Sequence, residues 1–254
     1  MTIYAGNTTL PNDFVNQYPT NSVERKVIEI LSSSNQVYRY QSLDHFKFEL
    51  ELRANVVSAS RELFYSGLSF RTFRRSVCNP AYWNRDEDGG FSTKEGVPPS
   101  EAIRDIFRNG SRYGTECATA IVIVYFKAVL NVFPDEIFNR LFPRINLMNW
   151  QNLDTNLGIS YFRNPIDYLP GDCRYVRNPD VNPSTPEWQG ENAIDLGNGF
   201  YYGHGIGIKT IDGIIAALNQ NRRPGATESA YLMDSVNRLD FVRLASLYNR
   251  FVSV

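Results

Sequence analysis

From Ala118 to Phe133 the chain is apolar at almost every position, through Ala118, Ala120, Ile121, Val122, Ile123, Val124, Tyr125 and Phe126, with Lys127 and Asn131 as interruptions. A helix here, from about Glu116 to Val132, is apolar nearly all round and has to lie in the middle of a domain. It is too short and too interrupted to span a bilayer. The rest of the chain must therefore wrap around it. Hydrophobic residues are 43% of the 254, and a chain of this length buries on the order of three quarters of its unfolded surface. Such a core needs neither disulfides nor a metal. No repeat period and no Gly/Ser- or Pro-rich linker divides the sequence, so residues 1–254 read as a single domain.

The wrapping elements change character along the chain. Helices are predicted over Val23–Leu31, entered through Asn21-Ser22, and over Leu43–Tyr65, with Ser42 as cap and Gly67 as stop. A loop-rich stretch from Cys78 to Pro99 leads to a short helix, Ser100–Arg108, closed by Asn109-Gly110. After the buried helix, Ile145–Trp150, Cys173–Val176, Trp188–Leu196 and Phe200–Ile208 read as strands, and Ile211–Leu218 and Asp240–Tyr248 return to helix. Helices early and strands late give an α+β class, an antiparallel sheet packed against helices.

Composition removes several functions. Lys+Arg number 26 and Asp+Glu 27, without the basic footprint of a nucleic-acid binder. The N-terminus lacks the basic and apolar regions of a secretory signal, so a soluble protein made in a reducing compartment is expected. There are two histidines, His45 and His204, and three cysteines, Cys78, Cys117 and Cys173. They form no CxxC pair, no three-His zinc site and no disulfide framework. Asp86-Glu87-Asp88-Gly89-Gly90 lacks the EF-hand spacing and reads as a solvated turn. No metal or cofactor is predicted, and no Gly-x-Ser-x-Gly elbow, P-loop or dinucleotide fingerprint occurs.

The chemistry concentrates at Gly114-Thr115-Glu116-Cys117-Ala118, where a cysteine opens the buried helix. Helix N-termini stabilise a thiolate, although a free cysteine is also among the most buried residue types. Nucleophile and core residue both remain open for Cys117. Its partner would be His204, flanked by Gly203 and Gly205, unless that histidine only occupies a turn. His45, in the first turn of its helix, reads as solvated or capping. Hairpin arithmetic around Gly197-Asn198-Gly199 offers a third member. Either two-residue loop places Glu191 and His204 on one face, directly opposite or diagonal, whereas a three-residue loop separates them. A carboxylate beside an imidazole orients it as in catalytic triads; an ordinary cross-strand pair is the competing reading. Cys173 and Cys78 are weaker candidates.

Several ungapped blocks occur in a telling order: Pro98-Pro99-Ser100-Glu101-Ala102-Ile103-Arg104-Asp105-Ile106, Glu116-Cys117-Ala118-Thr119-Ala120-Ile121-Val122, Gly171-Asp172-Cys173, Trp188-Gln189-Gly190-Glu191-Asn192, Gly203-His204-Gly205-Ile206-Gly207 and Ser229-Ala230-Tyr231-Leu232. Nearly end to end, they resemble the small transglutaminases of spore-forming bacilli, protein-glutamine gamma-glutamyltransferases of the spore coat. Thr115 departs from the pattern, standing where a bulkier residue is expected. The resemblance implies a papain-like α+β domain that needs no calcium and no pro-segment. It implies Cys117 as nucleophile, Glu191 as its main catalytic partner, Glu116 as a substitute, and His204 in the same constellation. Trp150 and Trp188 match aromatic positions lining a passage to the thiol.

The implied reaction is acyl transfer from a protein glutamine to a lysine ε-amine, through a Cys117 thioester, with helix-start N–H groups holding the oxyanion. Amine must beat water, and a narrow apolar passage favours it. The implied partners are spore-coat proteins with accessible Gln and Lys side chains, and neither nucleic acid nor membrane. The implied state is a monomer, in the mother-cell cytoplasm and then the coat. A papain-like cysteine amidase or peptidase, or a non-catalytic coat protein, would share much of this sequence pattern.

Overall fold

The computed structural model describes residues 2–151 and 153–252. The chain begins with β1 (Thr2–Ala5), β2 (Thr8–Thr9), α1 (Val23–Ser33), β3 (Val37–Tyr40) and α2 (Leu43–Tyr65). Next come β4 (Ser69–Phe70), β5 (Trp83–Arg85), β6 (Phe91–Thr93), α3 (Pro99–Arg108) and β7 (Gly114–Thr115). Helices α4 (Cys117–Val132) and α5 (Asp135–Leu141) are followed by β8 (Asn146–Leu147), β9 (Ile159–Arg163), β10 (Cys173–Arg177) and β11 (Gly190–Asp195). The C-terminal part holds β12 (Tyr201–Gly203), β13 (Gly207–Lys209), α6 (Ile211–Asn219), β14 (Tyr231–Leu239) and α7 (Phe241–Val252).

A six-stranded antiparallel sheet, ordered β13-β12-β11-β10-β14-β9, carries the second half. Helix α4 packs against α2 and against β11. Ala120 through Val124 are wholly shielded from solvent, as the all-round apolar pattern requires. Helix α2 starts where Ser42 accepts the His45 N–H at 3.2 Å and stops before Gly67, whose φ of 87° ends it. The architecture is the α+β sheet-and-helix arrangement expected from the sequence, with Cys117 at the start of the buried helix.

Local differences matter for the site. The stretch 145–150 forms only a two-residue strand, β8, because Asn149 turns into the left-handed region (φ 55°). The presumed strand Phe200–Ile208 breaks at His204, where Gly205 takes φ 101°. Between β11 and β12 the loop has three residues: Leu196 N–H donates to Phe200 O at 3.0 Å, and Ala193 faces Gly203. This register puts Glu191 and His204 on opposite faces, against the pairing that either two-residue loop predicts. Trp83–Arg85 and Phe91–Thr93 form a hairpin inside the segment expected as loop.

Asp172, immediately before β10, is completely buried. Its carboxylate accepts from Arg53 Nη1 at 3.0 Å, from the Leu169 N–H at 2.9 Å, and from Arg238. This network ties α2, β10 and β14 together and fixes where Cys173 enters the sheet.

Candidate active site

Glu116 is the N-cap of α4. Its carboxylate folds back over the helix end, Oε2 accepting the Ala118 N–H at 2.6 Å and Oε1 the Thr119 N–H at 2.7 Å. The Thr119 hydroxyl donates to the same Oε1. Such a cap stabilises the helix by about 1 kcal/mol, and its charge complements the positive end of the helix. It also occupies the Ala118 and Thr119 N–H groups, which are therefore closed to an oxyanion.

Half-buried Cys117 lies in a cavity of about 590 Å3, also lined by Trp150, Phe70, Phe73, Tyr161, Tyr175 and Asn192. The Asn192 side-chain amide donates to Sγ at 3.4 Å, and its backbone N–H also favours the thiolate. Burial nevertheless pushes the thiol well above its ordinary range, helped by the charges of Glu191 and then Glu116. The shift favours the protonated sulfur at rest. Cys173 lines the same cavity, its Sγ 4.0 Å from Asn192 Oδ1, and burial holds its thiol well above the ordinary value.

Glu191, on β11, is 5% exposed. Burial first, and the Glu116 charge second, hold its carboxyl far above the usual carboxylate range. The His204 backbone N–H opposes this by favouring the ionised form. Among the described residues, Oε1 has no hydrogen-bond partner. Gly203 makes room for this side chain, since a Cβ there would lie 2.9 Å from Glu191 Cγ. A buried carboxyl left partly unsatisfied costs stability, and such groups cluster at functional sites.

His204 meets this constellation through its backbone, while its ring faces elsewhere. Ser69 O can only accept, so Nε2 carries the proton and donates to it at 3.3 Å; Nδ1 accepts from the Tyr202 hydroxyl at 3.1 Å. Burial pulls the imidazole down to about 4, so it is neutral near pH 7. Both nitrogens are engaged, and no hydrogen bond joins the ring to Cys117 among the described residues. Trp150 lines the cavity, whereas Trp188 packs against the small apolar cluster of Val176, Ala193 and Ile214. Buried Thr115 lies outside the lining.

Sequence reasoning missed Asn192, Asn149 and Tyr161. Asn192 sits beside Glu191 in a quoted block, but its contact with a cysteine 75 positions away is purely tertiary. No group of three or more His, Cys, Asp or Glu side chains among the described residues is placed to hold a metal ion. None of the described helices is long and apolar enough to cross a membrane.

The family model of protein-glutamine gamma-glutamyltransferase matches residues 1–248. The chain belongs to the protein-glutamine gamma-glutamyltransferase family. A protein-glutamine gamma-glutamyltransferase of Bacillus cereus (strain B4264) is 45% identical over 247 residues, covering 97% of this chain and 88% of the relative. One from Bacillus anthracis (strain CDC 684 / NRRL 3495) is 45% identical over 239 residues, covering 94% and 86%. A solved transglutaminase from Geobacillus stearothermophilus, without its C-terminal extension, superposes with a TM-score of 0.77 at 49% identity, covering 81% of this chain and 98% of that one. The protein is thus a transglutaminase, an acyltransferase.

Proposed function

We propose that this transglutaminase crosslinks proteins through ε-(γ-glutamyl)lysine isopeptide bonds, with a thioester on Cys117 as intermediate. One observation carries the reading: a thiol in an aromatic-lined cavity has the Asn192 amide on its sulfur, and the neighbouring β11 residue, Glu191, is a buried carboxyl whose charge acts on that thiol. With one negative charge on the pair, the sulfur's proton passes to Glu191 as Sγ attacks the glutamine γ-carboxamide carbon. Glu191 returns that proton to the leaving nitrogen, ammonia departs, and the thioester remains. A lysine amine then attacks the thioester, gives its proton to the pair and expels the sulfur, forming the isopeptide. The Asn192 amide already donates to the sulfur and suits the developing oxyanion. Glu116 is a second carboxyl near the thiol, but both its oxygens are engaged in the cap of α4. His204 acts through its backbone N–H on Glu191.

The nucleophile and proton carrier are the chain's own, so calcium-independent activity is part of the proposal, checked by turnover in EDTA. The resemblance to the enzymes of spore-forming bacilli supports spore-coat proteins as substrates of a single-domain monomer, made in the mother cell and carried into the coat. Incorporation of a primary amine into a glutamine-bearing peptide tests the core claim. Cys117→Ser, a change of one atom, should lower it at least about 10⁴-fold with the melting temperature retained. Comparable turnover in that variant would sink the assignment.

A further inference from the structure

The Glu116 cap extends beyond its own helix. The Thr119 hydroxyl donates to Glu116 Oε1 and accepts the backbone N–H of Asn149 at 2.7 Å. Both roles are fixed, because a carboxylate oxygen accepts and an N–H donates. Asn149 stands at φ 55°, a conformation uncommon outside glycine, and its Oδ1 accepts the Trp150 N–H at 2.6 Å. Asn149 and Trp150 both line the cavity that holds Cys117. Glu116, Thr119, Asn149 and Trp150 thus form a relay from the residue beside the nucleophile to the aromatic wall facing it. The turn's other bond, from Gln151 N–H to Met148 O at 3.0 Å, lies within the turn and gives no hold on α4.

Resting on the transglutaminase reading, we infer that Thr119 is a positioning residue that holds the Trp150 wall and so sets how strongly amine is favoured over water. Thr119 is 4% exposed and has no contact with the passage of its own. A side chain lacking the hydroxyl leaves the Asn149 N–H without its acceptor. The turn then relaxes toward a more favourable backbone conformation, and the passage beside Trp150 widens. The backbone bonds of the Glu116 cap do not depend on the hydroxyl and persist.

The experiment compares the wild type with Thr119→Val, Thr119→Ala and Thr119→Ser, using a glutamine-bearing peptide and a primary amine. The ratio of amine adduct to hydrolysed glutamate is read, with KM and kcat separately. Loss of the neutral Asn149 bond, with the hydroxyl's bond to Glu116 lost beside it, should lower the ratio roughly three- to ten-fold in the Val and Ala variants. Thr119→Ser, which keeps the hydroxyl, should restore it to within about two-fold. Two hydroxyl-free variants of different size guard against a single misfolded one. In parallel, acrylamide quenching in a Trp188→Phe background reports on Trp150, since Trp83 is 1% exposed and silent. Quenching should rise in the Val and Ala variants alone. Unchanged ratio and quenching in both would overturn the inference, and changed quenching with an unchanged ratio would overturn its link to water. Should the wild type form neither product, the transglutaminase reading fails, and the quenching comparison, independent of turnover, still decides whether the hydroxyl holds the wall.

Discussion

Asp172 and Glu191 are both buried, one immediately before β10 and the other on the neighbouring strand β11, yet their surroundings are opposite. Asp172 has two arginines and a backbone N–H on its carboxylate. Among the described residues one Glu191 oxygen has no partner, and the acidic groups that interact with it are the Cys117 thiol and the Glu116 carboxyl. A buried charge that is fully paired holds strands together. One left short of donors stays ready to exchange a proton, and the fold around it bears the cost.

The sharpest break in this comparison is Glu191→Gln. It should lower amine incorporation about 10²- to 10⁴-fold while raising stability at pH 7. The sign follows from the raised carboxyl: as pH rises through 4.5 the unfolded chain gives up the Glu191 proton before the folded protein does, so its stabilising contribution fades as pH rises. The gain should therefore shrink near pH 4, as urea titrations of both proteins would reveal. Wild-type activity should also fall on the acid side at a pH above the ordinary carboxylate range. A wild-type profile already flat down to pH 5 would contradict a Glu191 proton carrier.

Asp172→Ala should do the reverse. Stripping one partner from a buried ion network costs about 3–5 kcal/mol, while turnover per folded molecule stays near wild type. Denaturation midpoints set beside active-site titration of the thiol would separate the two effects. A collapse of turnover without lost stability would erase the contrast.

His204 gives a further effect, of about 3 kcal/mol, from an imidazole pulled from 6.5 down to about 4. Its sign is that of a lowered base: no contribution to the pH dependence above 6.5, then falling stability as pH drops toward 4 and the unfolded chain alone takes the proton. His204→Gln should remove that part of the acid slope. Equal slopes in both proteins would mean that the ring is not held neutral.

The smallest effect belongs to Glu116. As a cap, Glu116→Ala costs about 1 kcal/mol of stability and scales activity by a similar factor with or without Glu191. As a substitute proton carrier, it instead removes most of the activity left in Glu191→Ala. Single and double variants, assayed together, choose between these outcomes.

The elements governed by local chemistry were legible in the sequence. Helix α2 could be bounded from Ser42 and Gly67, and α4 announced itself by having no polar face. The hairpin register was not legible, because Gly197-Asn198-Gly199 satisfies both loop lengths, and only the structure shows both glycines at positive φ. Strand β14 went unread because three of its residues, Met233, Ser235 and Asn237, line the cavity, which blurs the apolar alternation. Glycines around His204 suggested an accessible imidazole, yet its ring partner Ser69 lies 135 positions away. Cys117 and Glu191 were visible as candidates; the Asn192 amide between the two thiols depends on how β10, β11 and α4 meet.

The raised Cys117 thiol has a consequence for the protein's lifetime. Alkylating agents and peroxide react with the thiolate, so a sulfur kept protonated at rest ages slowly in their presence. In the proposed mechanism, reactivity then arises when a bound carboxamide and Glu191 together draw the proton away. An enzyme of this design can be stored in the open, with its cavity accessible, and keep its nucleophile intact until a substrate arrives.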